Sequence, residues 1–229
     1  MSADIALIDS GVNAVHSHVG WIAGGVAFHP EPNGKVREDS DFHDSIGHGT
    51  AIAGVIRERA PQARIHALKI FHDTLQAPAS LLIAALQWAI DRNMKLIHLS
   101  LGIERGKGGE GERLAELCRS AYERNLVVIA AARSPQDLVY PSSLDTVIGV
   151  YWDRSCDPAG LIYHADNPIE FGACGFPREL PGMPQEHNFR GNSFAAAHVT
   201  ARAARLLEEN PTAGVKWVRK RLIETATDA

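Results

Sequence analysis

Residues 80–102 read SLLIAALQWAIDRNMKLIHLSLG, and the change of period inside this stretch decides the fold. In its first half Leu82, Leu86, Ala89 and Ile90 recur at helical spacing, the mark of one apolar face. After Asn93 the pattern becomes KLIHLSLG (95–102), an apolar run of strand length that is too continuous for a strand with one face in water. The same alternation extends in both directions. IALID (5–9), ARIHALKIF (63–71), NLVVIAAA (125–132) and DTVIGVYW (145–152) read as further buried strands. GERLAELCRSAYERN (111–125) is a second amphipathic helix, with Leu114, Leu117, Cys118, Ala121 and Tyr122 on its apolar side. Buried strands alternating with amphipathic helices predict an α/β class, with a mostly parallel sheet covered on both faces. Residues 153–190, where Pro and Gly are scattered without a period, predict short strands and ordered loops. A helix behind Ser193 and another around 214–226 complete the pattern.

A chain of 229 residues holds one sizeable core and is short for two domains, so a single domain over 1–229 is expected. With 45% hydrophobic and 22% charged residues the composition is that of a soluble globular protein. No apolar run reaches membrane-spanning length, and no membrane contact is expected. A net charge of -4 gives no electrostatic reason for a nucleic-acid partner; Arg219, Lys220 and Arg221 read as the solvated face of the last helix. Cys118, Cys156 and Cys174 lack metal-ligand spacing and form no disulfide framework, and Cys118 belongs to a helix core. The opening MSADIALIDSG enters a strand at once, leaving no room for a secretory signal. With Met1 as the natural start, a cytoplasmic protein is expected.

No cofactor and no metal are expected. Glu31, Glu38, Asp39, Asp41 and Asp44 read as a solvated acidic loop, since a calcium site needs six to eight converging oxygens. His16 and His18 lack further ligands for zinc. His43 and His72 read as surface residues, and His98 as a buried, satisfied one.

Ligands of open parallel sheets bind outside the carboxyl ends of the strands, here Asp9, Ser100–Gly102 and Ala130–Ser134. Three segments carry chemistry-bearing side chains to element ends: IALIDSG (5–11), GHGTAIAG (47–54) and GNSFAAAH (191–198). A serine hydroxyl needs a base to take its proton, and the base needs a carboxylate to fix its tautomer. The glycines and alanines around them allow close packing.

Asp-Ser-Gly at a strand end, His-Gly-Thr at a helix start and Gly-Asn-Ser at another, in that order, resemble the subtilisin-like serine proteases, the subtilases. ARIHALKIF, WAIDRNMKLIHLSLG, NLVVIAAA, YPSSLDTVIGV and the final helices fall where that fold has corresponding elements. The resemblance implies a three-layer subtilisin-like fold and a compact intracellular member without an inhibitory propeptide. It implies Ser193 as nucleophile, His48 as general base then acid, and Asp9 as the orienting carboxylate. Ser100, Leu101 and Gly102 would pair with an extended peptide or protein substrate. Ala131, Ala132 and Arg133 would form the other wall of the specificity pocket, and Val139 its floor. His198 also matches the family and reads as a buried histidine bonded to backbone.

The sequence departs from the family after NLVVIAAA. Where subtilases usually carry Ala-Gly-Asn, this chain has Ala132, Arg133 and Ser134, so the oxyanion-binding amide is missing. Asn192 is the expected replacement, ahead of Ser134. Arg133 and Val139 predict a shallow pocket, taking a small residue or, with Arg133 turned inward, an acidic one. The alternative is an Arg133 that swings to solvent. The implied activity is a narrow-specificity endopeptidase, for example in precursor-peptide maturation. A weak or inactive peptide-binding module, and an esterase or ligase using the same acyl-enzyme, stay open.

Overall fold

The computed structural model describes residues 2–32, 34–104 and 109–228; Met1, on which the expected start rests, lies outside them. The chain runs β1 (Asp4–Asp9), β2 (Gly24–Pro30), β3 (Val36–Asp39), α1 (His48–Arg59), β4 (Arg64–Lys69), α2 (Ala79–Asp91), β5 (Leu96–Leu99), α3 (Glu110–Glu123), β6 (Val127–Ala131) and β7 (Ile148–Trp152). It continues through β8 (Ile162–Tyr163), β9 (Phe171–Ala173), a short 3-10 turn (Gln185–His187), α4 (Asn192–Glu209), α5 (Val215–Thr225) and β10 (Thr227–Asp228). All ten strands form one sheet in the order β10-β8-β9-β7-β6-β5-β1-β4-β2-β3. From β2 to β9 across its centre the pairing is parallel; β2–β3 and β8–β9 are antiparallel.

Strand β1 shows how the three layers are encoded. Side chains alternate across a strand. Ile5 and Leu7 enter the core beneath α1, α4 and α5, while Ala6 and Ile8 enter the core beneath α2 and α3. Asp9 is next in the alternation, so it emerges on the α1/α4 side at the carboxyl end of a central strand. The Ile70 N–H donates to the Asp9 carbonyl at 2.8 Å, fixing that strand end against its neighbour.

The hairpin of β2 and β3 is absent from the sequence reading. β2 begins with two glycines and ends in proline, and β3 (VRED) is an edge strand with no buried residue, so neither shows an apolar period. Glu38 and Asp39 of the expected acidic loop lie in this strand. Asp39 pairs with Arg37 and His29, each at 3.0 Å. No described helix is long and apolar enough to cross a membrane.

Candidate active site

Asp9 is fully buried, and its Oδ1 accepts three hydrogen bonds: from the Ser10 N–H at 2.8 Å, the Ser10 hydroxyl at 3.2 Å and His48 Nδ1 at 2.7 Å. The Gly49 N–H in turn donates to the Ser10 hydroxyl at 2.9 Å, tying the first turn of α1 to the end of β1. Glycine is required at 49: a β-carbon there would lie 2.2 Å from the Gly11 carbonyl oxygen. Burial by itself raises the Asp9 carboxyl. The His48 charge, the His48 hydrogen bond and the Ser10 N–H together outweigh it and hold the carboxyl below the usual range. Burial likewise lowers His48, but the charge and hydrogen bond of Asp9, with a contribution from Asp44, raise it above the ordinary imidazole value. With Nδ1–H donated to Asp9, the Nε2 of neutral His48 is left as a proton acceptor.

Asp44, which sequence reasoning placed in a solvated loop, holds the start of the helix that carries His48. It is buried, and from the loop before the N-cap residue Gly47 its carboxylate accepts a first-turn N–H of the helix that begins at His48. Its Oδ1 accepts the Ile46 and Gly47 N–H groups at 3.0 and 2.8 Å; its Oδ2 accepts the Thr50 N–H at 2.8 Å and the Thr50 hydroxyl at 2.6 Å. The available signal was an aspartate shortly before a helix start, the usual capping chemistry. The remaining members of the expected loop do not converge: no group able to hold a metal occurs among the described residues.

Behind Asp9 lies a second buried chain of polar groups. The Thr200 hydroxyl donates to the Ala196 carbonyl at 2.8 Å, so it accepts from His98 Nδ1–H at 2.9 Å. His98 Nε2 then accepts the Ser100 hydroxyl proton at 3.0 Å. With the Ser100 proton committed to His98, Asp9 Oδ2 is buried without a hydrogen-bond partner. Burial drives His98 down to about 4, so it stays neutral. His98 thus links α4 to the strand end beside Asp9.

Ser193 is the second residue of α4, where N–H groups have no partner inside the helix and the dipole favours negative charge. The alanines behind it are buried without exception, and Phe194 packs its ring edge-on to His48 at 5.3 Å between centroids. Among the described residues no hydrogen bond joins Ser193 to His48; the contact between the start of α4 and the imidazole is made by Phe194, the next residue. Such bonds are often long before substrate arrives.

Ser193 and Asn192 line a cavity of about 290 Å³. The same cavity gathers every residue expected on the pocket walls: Ser100, Leu101, Gly102, Ala131, Ala132, Arg133 and Val139. Ser134 does not line it; its carbonyl accepts the Asp137 N–H in a turn at 3.1 Å. The Asn192 side-chain carbonyl accepts the Trp152 N–H at 2.8 Å, which turns the NH₂ end away from β7. Asp137, unnoticed in the sequence, is the hub of the 133–139 loop. It accepts the Arg133 N–H at 2.8 Å, the Arg133 guanidinium at 3.1 and 3.0 Å, and the Val139 N–H at 3.2 Å. The guanidinium is largely solvent-exposed, so Arg133 swings outward and its charge is matched by Asp137. Val139 meanwhile lies against Gly102: a β-carbon on Gly102 would sit 2.5 Å from Val139 Cγ1. His198 Nε2 bonds the Phe176 carbonyl at 2.9 Å, a packing role.

A buried carboxylate ending a central parallel strand and bonded to a histidine that opens one helix, together with a cavity lined by a serine at the start of another, matches the subtilisin class of fold and site. The chain belongs to the subtilase family of subtilisin-like serine endopeptidases, whose model matches residues 2–155 and 170–229. It is 30% identical over 240 residues to subtilisin E of Bacillus subtilis (strain 168), spanning 97% of this chain and 60% of that one. It is also 30% identical to the subtilisin of Bacillus pumilus, over 97% of this chain and 83% of the other. Among solved structures, a lanthipeptide protease superposes with a TM-score of 0.72 at 20% identity, covering 95% of this chain and 78% of that one. The prenylagaramide maturation protease PagA does so with a TM-score of 0.63 at 23% identity, covering 90% and 75%.

Proposed function

We propose that the protein is an endopeptidase in which Ser193, His48 and Asp9 act as one catalytic unit, cutting a narrow set of peptides such as a precursor undergoing maturation. The observation that carries this reading is the 2.7 Å bond from His48 Nδ1 to a fully buried Asp9, with Phe194, the residue after the cavity-lining Ser193, packed edge-on to His48. Ser193 Oγ attacks the scissile carbonyl while His48 Nε2 takes the hydroxyl proton. Asp9 holds the imidazole in the required tautomer and stabilises the imidazolium. The oxyanion meets the Ser193 N–H and the Asn192 side-chain NH₂. His48 then gives its proton to the leaving amine, and water repeats the sequence on the acyl-enzyme.

Narrow specificity is supported by the packing of Val139 against Gly102 on the cavity wall and by the Asp137 clasp, which neutralises Arg133. A small residue is therefore favoured on the acyl side of the cut, ahead of an acidic one. The substrate class in the names of the lanthipeptide and prenylagaramide proteases is brought here as part of the proposal; their likeness speaks to fold. The test is a cleavage-site survey on a mixed peptide library. Cuts concentrated after Ala, Gly or Ser, and lost in Ser193→Ala, support the reading; dominant cutting after aromatic residues contradicts it.

A further inference from the structure

Of the two Asp9 carboxylate oxygens, Oδ1 accepts three hydrogen bonds while Oδ2 is buried with none. A bare charged acceptor in the interior is costly, so the donor standing nearest to it carries information. Strand register identifies that donor. β1 and β5 pair with Leu7 opposite His98 and Ile8 opposite Leu99, so Ser100 is the next partner of Asp9. Ile8 and Leu99 both enter the core beneath α2 and α3. The alternation of side chains therefore turns Asp9, His98 and Ser100 together to the α1/α4 side.

The polar chain through Thr200, His98 and Ser100 has two possible directions, because a hydroxyl and a neutral imidazole each both donate and accept. In one, Thr200 donates to the Ala196 carbonyl, His98 Nδ1–H to Thr200 and Ser100 to His98 Nε2; these three bonds leave Oδ2 bare. In the reverse, the Thr200 hydroxyl donates to Nδ1, Nε2–H donates to the Ser100 oxygen, and the Ser100 hydroxyl donates to Asp9 Oδ2. The number of bonds is unchanged. The Ala196 carbonyl is not stranded, since it lies four residues before Thr200 inside α4 and keeps its helical N–H bond. Reversal thus exchanges a second bond to a satisfied carbonyl for a charge-assisted bond to a buried carboxylate. His98 is the pivot of the exchange. Its ring is fully buried and burial keeps it neutral, so a single proton occupies one nitrogen or the other.

Substrate favours the reverse direction. Ser100 lines the Ser193 cavity, and a peptide filling that cavity excludes water and strengthens every hydrogen bond to a charge beside it. Resting on the peptidase reading above, we propose that His98 is a positioning residue: in the substrate-bound enzyme it carries its proton on Nε2 and holds the Ser100 hydroxyl on Asp9 Oδ2. The change moves protons and turns the Ser100 side chain toward Asp9. The carboxylate is then fixed at both oxygens, with Oδ1 aimed at His48. Thr200 lies seven residues, about two helical turns, beyond Ser193, so the same relay ties the carboxylate to the helix that carries the nucleophile.

The test reads the ring nitrogens of His98 by NMR, with isotope-labelled histidine, in Ser193→Ala saturated with a peptide that the wild type cleaves. The same protein carrying His98→Gln lacks the signal and so assigns it. A proton on Nε2 is the expected result; a proton on Nδ1 in the complex overturns the proposal. Kinetics give a second readout. Ser100→Ala keeps the backbone that pairs with substrate, so it is expected to lower kcat by about 10-fold with little change in KM. It leaves Asp9 and Asp44, the charges that raise His48, in place. An Asp9 without its Ser100 bond holds the imidazolium more tightly, so the acid limb of kcat moves to higher pH. His98→Leu is expected to reproduce both changes, and His98→Gln, whose amide N–H stands in for Nε2–H, to reverse most of each. Thermal melts establish that the variants are folded. An acid limb unmoved in Ser100→Ala, or equal kinetics for His98→Leu and His98→Gln, overturns the relay alone. A wild type that cleaves neither peptides nor a simple ester overturns the peptidase reading, and this inference with it.

Discussion

Replacing Asp44 tests whether the helix carrying His48 is held from outside the catalytic unit. The carboxylate accepts four hydrogen bonds between 2.6 and 3.0 Å and is 7% exposed. Losing a helix cap costs about 0.5–2 kcal/mol. Each buried donor left unmatched adds about 1–3 kcal/mol, reduced where water reaches it. For Asp44→Ala a net loss of about 2–4 kcal/mol follows. For a chain of this size that is a fall of about 5–15 °C in Tm. Asp44→Asn keeps the shape and removes the charge, so it isolates a second effect. Asp44 is one of the charges that raise His48, and His48 must be neutral to act as base. Without that charge the His48 value falls, and the acid limb of kcat/KM moves to lower pH. Calorimetry and a pH profile on the same two variants read both effects. An unchanged Tm in Asp44→Ala, or an acid limb that stays put or moves upward in Asp44→Asn, refutes the reasoning.

Asn192→Ala is expected to lower kcat by about 10²–10³-fold with little change in KM, the signature of a lost oxyanion donor; a change confined to KM would assign Asn192 to substrate binding. Asp137→Ala releases the Arg133–Val139 clasp, so cleavage after medium-sized residues such as Leu should rise relative to cleavage after Ala; an unchanged preference removes the clasp from the specificity account. His98 and His198 are both pushed by burial to about 4, well below the ordinary imidazole value. Their folded forms resist protonation while the unfolded chain takes protons up, so stability is full above about pH 6.5 and lost as pH falls toward 4, by about 3 kcal/mol per histidine at most. Calorimetry from pH 7 to 4.5 should show this decline, shallower in His98→Asn; identical slopes contradict it.

The central strands and α2 to α4 were legible because burial on both faces writes continuous apolar runs and helical stripes that local chemistry cannot mask. β1 is the clearest case, since its alternation also fixes the face on which Asp9 emerges. β2 and β3 were hidden because glycine, proline and charged residues at an edge strand look like a loop. The pocket walls were legible through the strand-end rule and the family resemblance, and all seven wall residues share one cavity. Asp44 and Asp137 were not, because an aspartate's burial depends on which N–H groups the fold turns toward it. Asp137 collects donors from two loop residues, and Asp44 from residues on both sides of His48. The spacing around Asp137 does not differ from that of a solvated acid, and the one signal at Asp44 is its place shortly before a helix start.

The central claim is that Ser193 is made nucleophilic by His48 and Asp9. Treatment of the folded protein with a fluorophosphonate, followed by mass mapping of the adduct, tests it most directly. One phosphonyl group on Ser193 in the wild type, and none in Ser193→Ala or His48→Ala, is the predicted result. A folded wild-type protein without an adduct on Ser193, or a His48→Ala variant labelled as fast as wild type, would contradict it.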